Sequence, residues 1–85
     1  MDYDINKSEE LLPLIDDCMD RMRRLDYSQH SIVETSEHLL RHATHHPELV
    51  PFIVQLWCRL LSRSHKSKKV SYVYLANDII QKNIL

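Results

Sequence analysis

No glycine occurs anywhere in this 85-residue chain. Glycine is the residue that most easily adopts positive φ, and tight strand-joining turns and phosphate-cradling loops depend on it. Its absence excludes dinucleotide fingerprints and P-loops and leaves β-hairpins without their usual turns. The expected architecture is all-α.

A chain of this length makes one domain at most and buries only about two-thirds of its unfolded surface. Hydrophobic residues at 44% and charged residues at 27% describe a globular chain rather than a disordered one. No apolar run approaches the roughly 20 residues of a membrane span. The acidic start, MDYDINKSEE, lacks the layout of a signal peptide. A net charge of −1 argues against a general DNA or RNA binder, with 63-RSHKSKK-69 as a local basic exception. Cys18 and Cys58 have no metal or redox spacing, and each sits in a helical apolar pattern. Two reduced core thiols are expected, which suits the cytosol or nucleus.

Four helices follow from three- and four-residue apolar steps. The first is expected from about Pro13 to Leu25, on Ile15, Cys18, Met22 and Leu25, with residues 1–12 as an N-terminal extension. The second is capped by Ser28 or Ser31 and buries Ile32, Leu39, Leu40 and Ala43, with Glu37 and Arg41 as an exposed ion pair. Pro47 stops it. The third, Pro47 to Arg63, carries Leu49, Phe52, Ile53, Leu56, Trp57, Leu60 and Leu61. It is expected to be central and the most buried, with Trp57 largely inside. Ser67 is expected to cap the fourth, where Val70, Val73, Leu75, Ile79 and Ile80 face the other helices.

His38, His42, His45 and His46 invite a metal reading, because His38 and His42 are one helical turn apart. A zinc site wants three or four converging ligands, and this segment offers no nearby cysteine. The expectation is no metal and no cofactor, with these histidines on a solvated, pH-sensitive surface. No serine or cysteine occupies a strained, glycine-bounded turn, so catalytic residues are not expected either.

The segment 72-YVYLANDIIQKN-83 is mostly apolar yet carries Asn77 and Asp78 side by side. On a helix, Tyr74 with Asp78 and Asn77 with Gln81 form a polar-aromatic strip. The bland explanation is that Asp78 pairs with a basic neighbour. The functional one is a peptide-binding strip, in which Asp78 accepts from a hydroxyl, Asn77 meets a ligand backbone and Tyr74 supplies an apolar wall.

The run YLANDIIQ, the upstream SKKVSYVYLAND, the Trp57 helix and SQHSIVETSEHLL together resemble the CTD-interacting (CID) domain. That family is a helical superhelix that binds the heptad-repeat tail of the largest RNA polymerase II subunit. The likeness is nearest to the branch of the regulators of nuclear pre-mRNA and covers about Ile15 to Gln81. It implies that Asp78 hydrogen-bonds the hydroxyl of the heptad tyrosine, that Asn77 holds the backbone of the peptide's β-turn, and that Tyr74 lines the groove. Ser28 and Gln29 match a family segment that approaches the peptide. Lys82 stands where that branch carries asparagine.

Family domains have about eight helices, so the resemblance implies a four-helix, right-handed superhelical array of the ENTH/VHS type, matching the first half of a CID. The arginine that reads phosphate on the heptad's second-position serine lies in the other half, so phosphopeptide selectivity is not implied for this chain. The implied function is a non-enzymatic nuclear module in transcription termination and pre-mRNA 3′-end processing. The alternative is a VHS- or ENTH-like trafficking module binding sorting peptides or lipid headgroups, and RNA binding through 63-RSHKSKK-69 is a third possibility. A half-length stack is also expected to leave an apolar face uncovered, around Val73, Ile80, Ile84 and Leu85, and therefore to self-associate.

Overall fold

In the computed structural model the backbone is described over residues 5–84 and the side chains over residues 9–82. The fold is all-α. Four helices follow one another: α1 (Ile5–Arg23), α2 (Gln29–His45), α3 (Val50–Arg63) and α4 (Lys66–Ile84), with a 3-10 turn at Pro47–Leu49 before α3. No strand occurs among the described residues.

The first helix starts well before its expected beginning at Pro13. Residues 5–12, expected as an extension, are its opening turns, and Leu11 among them is buried. Proline removes one backbone donor, and Pro13 does so on an exposed flank where the helix continues around it. Residues 1–4 lie outside the described part.

Ser28, of the two candidates, caps α2. Its hydroxyl oxygen accepts from the Ser31 amide at 3.2 Å. Ser31 turns back instead, its hydroxyl accepting from the Asp26 amide at 3.1 Å. The Asp26 carboxylate accepts from the Ser28 amide at 2.8 Å, and hydrogen bonding by Ser28 holds its pKa below the usual value.

Helix ends without glycine need another device, since the common αL cap is closed to them. No described residue has positive φ. Lysines from the start of α4 serve instead. The Lys68 ammonium donates to Arg23 O at 2.9 Å and to Leu25 O, closing the end of α1. Lys69 donates to Leu61 O at 2.8 Å and Ser62 O at 3.3 Å, and the Ser64 hydroxyl donates to Leu60 O at 2.5 Å, closing α3. A cation on these carbonyls also meets the negative end of the helix dipole. The basic cluster is thus partly structural. Ser67 is not the cap of α4: that helix begins at Lys66, with the His65 carbonyl taking the first bond from the Lys69 amide at 2.8 Å.

Contacts fix the packing. Lys68 lies at the α1–α2 corner, while Asp78 and Lys82 lie against Ser36 and Glu37, so α4 runs beside α2 in the same direction. α1 and α3 also pack on each other. The molecule measures 43 × 31 × 18 Å. Its least dimension is under two helix diameters of about 10–12 Å, so every helix keeps one face outside.

The core joins Cys18, Met22 and Leu25 of α1 and its end to Ile32 and Leu39 of α2 and to Tyr72 and Leu75 of α4. Tyr72 is buried, and its hydroxyl donates to Met22 O at 3.0 Å. Burial raises its pKa. Trp57 is half-buried, its indole N–H donating to Tyr72 O at 2.9 Å. α3 is therefore not the most buried helix: none of its residues is fully buried, because it lies at the edge of a thin stack. On α4 the expected inward residues Val70, Val73 and Ile80 are exposed, and Ser71, Tyr72 and Leu75 point inward. Cys18 is fully buried, with its thiol pushed up to about 11 by desolvation and by Asp17, whereas Cys58 is exposed and is not a core thiol.

Candidate functional site

The outer side of α4 carries the strip. Tyr74, Asn77 and Gln81 are exposed, and Asp78 is half-buried at their edge, where α4 meets α2. This follows from helical spacing: Ser71, Leu75, Asp78 and Lys82 succeed one another every turn along the α2-facing seam, and Tyr74, Asn77 and Gln81 fall beside it.

Asp78 is not bare. The Lys82 ammonium lies 2.8 Å from its Oδ2, in an ion pair rather than a well-directed hydrogen bond. Lys82 is also 3.9 Å from Glu37 of α2, so Glu37 meets Lys82 rather than Arg41. Lys82 first, opposed by desolvation and helped by the Ser36 hydroxyl, lowers the Asp78 pKa. Ser36 is fully buried, and its hydroxyl has no hydrogen-bond partner of good geometry. The bland expectation for Asp78 thus holds as far as it goes. It leaves a carboxylate kept ionised at a rim, with Asn77 and Tyr74 exposed alongside, which is what a hydroxyl-bearing ligand needs.

Ser28 and Gln29 are also exposed, at the start of α2. From Ser28 to Ser36, beside Asp78, is about 12 Å along the helix axis at 1.5 Å per residue. The two groups stand at separate points along α2, and Ser28 lies in a shallow hollow with Arg21, Asp26 and Glu34 on the α1 side. Ser28 already uses its oxygen as the α2 cap.

The histidines differ from expectation. His38 and His42 are not a solvated surface: their side chains are 16% and 22% exposed, and they meet Asp17 of α1. Both Nε2 atoms approach Asp17 Oδ2, that of His42 at 2.9 Å, and the nitrogens are 3.2 Å apart. The rings stand edge-to-face at 4.6 Å. Hydrogen bonds from His38 first, then His42, depress the Asp17 pKa. Spacing could not signal Asp17, because it lies 21 and 25 residues away in sequence.

Beside the strip, α2, α3 and α4 enclose an open apolar cleft of about 330 Å³, with Leu40, Val54, Trp57, Ile79 and Ile80 in its walls. Val73 and Ile80, also named for an uncovered face, are exposed, while the side chains of Ile84 and Leu85 lie outside the described residues. No described helix is long and apolar enough to cross a membrane.

The family model of the CID domain matches residues 15–84, which span about the second half of α1 and all of α2, α3 and α4. The chain belongs to the CID domain family. Members of that family are helical modules that bind the C-terminal tail of RNA polymerase II and are not enzymes. The CID match contains all six strip and loop residues, Ser28, Gln29, Tyr74, Asn77, Asp78 and Gln81. Among curated proteins, the chain resembles the Gallus gallus protein named Regulation of nuclear pre-mRNA domain-containing protein 1A. The two are 34% identical over 61 residues, which is 72% of this chain and 21% of that protein. The chain thus corresponds to a small part of that relative's length. No solved structure gives a significant match.

Proposed function

We propose that this CID chain binds the heptad-repeat tail of RNA polymerase II in the nucleus and serves transcription termination and pre-mRNA 3′-end processing. The observation that carries the reading is the half-buried, ionised Asp78 beside exposed Tyr74, Asn77 and Gln81 on one edge of α4. In this reading Asp78 accepts the tyrosine hydroxyl of a heptad, Asn77 pairs with the peptide backbone, and Tyr74 and Gln81 line the groove. Gln29 and Ser28 meet the peptide further along the α2 edge. The name of the chicken relative supports a pre-mRNA role.

Lys82 sets the strength of this contact. It already pairs with Asp78, so an incoming hydroxyl must share the carboxylate with it. A charge-assisted hydrogen bond at a rim is worth roughly 1.5–3 kcal/mol. Asp78→Ala should accordingly weaken binding of a two-heptad peptide by about 10- to 150-fold in fluorescence anisotropy, with circular dichroism unchanged. Lys82→Asn should strengthen it several-fold. Equal binding by Asp78→Ala and the parent would remove Asp78 from the site. Phosphorylated and unphosphorylated peptides belong in the same titration, since the chain's phosphate preference follows from no residue described above. Gln29→Ala probes the loop more cleanly than a change at Ser28, where losing the cap would itself cost about 1 kcal/mol of stability.

No observation favours the lipid or RNA alternatives. Lys68 and Lys69, two cations of 63-RSHKSKK-69, are engaged on helix ends.

A further inference from the structure

The meeting of Asp17, His38 and His42 is a feature that peptide binding does not use. Its three donor atoms come from two helices and lie within 4.8 Å of one another. We propose that this cluster is a divalent-metal site of the zinc class, tying α1 to α2, with His38 Nε2, His42 Nε2 and Asp17 Oδ2 as protein ligands and water in the fourth position.

The donor set is the first reason. Two imidazoles and a carboxylate suit zinc, whereas magnesium and calcium want oxygen throughout and copper(I) or iron–sulfur clusters want thiolates. Geometry is the second. Zinc–nitrogen bonds of about 2.0–2.1 Å place tetrahedral ligands about 3.3 Å apart. The two nitrogens already stand at 3.2 Å, and His42 Nε2 stands 2.9 Å from the carboxylate oxygen. Only a slight outward movement of Asp17 makes room for an ion. Because His38 and His42 are one turn apart on the same face of α2, no backbone change is needed to aim both rings at α1.

Setting is the third reason. Both rings are largely shielded, while Asp17 is 39% exposed and leaves an approach from solvent. Arg21, one turn along α1 and the nearest cation on that helix face, is drawn toward Glu34 at 3.9 Å. Cys18, adjacent in sequence, is turned into the core and is no ligand. With three protein ligands the site would hold the metal less tightly than a closed structural centre.

The test uses the untagged 85-residue chain. Zn²⁺ titrated calorimetrically should bind one to one with micromolar affinity. Co²⁺ as an optical probe should give the visible bands of tetrahedral coordination. A hundredfold excess of zinc over its Kd should raise the melting midpoint by roughly 10–20 °C. Asp17→Asn, which keeps the shape of the side chain, and His42→Ala should each weaken binding by at least about tenfold and abolish the cobalt bands. His45→Ala, His65→Ala and Cys58→Ser should bind as the parent does. Circular dichroism of the metal-free variants separates lost ligation from lost folding. Absence of zinc binding to the parent overturns the proposal. So does binding that survives Asp17→Asn or that follows His45, His65 or Cys58.

Discussion

α2 and α3 are both amphipathic, and α3 is the more apolar, yet their fates are opposite. α2 buries Ile32, Thr35, Ser36 and Leu39, while α3 buries no residue to that degree. The difference is position. Both touch α1 and α4, but α2 lies against α4 along much of its length, whereas α3 meets its neighbours over less of its surface. Burial is decided by what is available to cover a face and only then by how apolar that face is. Phe52 and Val54 show the result, large apolar side chains left 44% and 52% exposed.

Truncation gives the largest test of this contrast. Leu39→Ala in α2 should cost about 2–5 kcal/mol, the range for deleting a fully buried leucine, because its surroundings cannot collapse around the gap. Leu56→Ala in α3 should cost about 1–2 kcal/mol, since a half-buried leucine gives up less transfer energy and leaves no closed cavity. Urea unfolding of both variants measures the ratio. Equal losses would mean that α3 is as firmly held as α2 and that the contrast in exposure has no energetic counterpart.

How much was legible in the sequence divides along the same line. Helix number, the Ser28 cap and the Pro47 stop depend on neighbouring residues, and local chemistry announces them. The face of α4 does not, because its apolar residues lie all around the helix. Packing chose Ser71, Tyr72 and Leu75: the small Ser71 and Ser36 are both fully buried, and the tyrosine hydroxyl reaches an α1 carbonyl. The pairing of Tyr72 with Leu75 at a three-residue step was the one available signal. For the candidate site, the strip from Tyr74 to Gln81 could be read from helical spacing, but the histidine–aspartate joint could not. Asp17 joins His38 and His42 only because α1 folds back along α2.

The uncovered flank of α3 sharpens the comparison from the outside. The cleft between α2, α3 and α4, with exposed Val50, Val54 and Ile80 at or near its mouth, offers a second copy of the chain an apolar surface to cover. The chain should therefore self-associate at micromolar concentration in sedimentation velocity. Ile80→Asp should return it to monomer while changing stability by no more than about 0.5 kcal/mol, as expected of an exposed position. A parent that sediments as a monomer would show that four helices close their surface well enough alone.

The smallest effect probes the α2–α4 seam, where electrostatics joins packing. Asp78 has a folded pKa below its ordinary 3.8, chiefly because of Lys82. A depressed carboxylate pKa contributes stability that is fully present above the unfolded value and is lost as pH falls through the folded one. Asp78→Asn should thus be less stable than the parent near neutrality, by up to about 1 kcal/mol for so partly shielded a pair. The gap should close as pH drops below 3.8, where the parent's carboxyl takes up its proton and the ion pair with Lys82 disappears. Added salt should narrow the gap at neutral pH as well, because this pair reaches solvent and is screened. Denaturant midpoints of the two proteins across this pH range measure it. A gap that stays constant from neutrality to acid would assign the whole effect of the substitution to shape and hydrogen bonding, and none to the charge of Asp78.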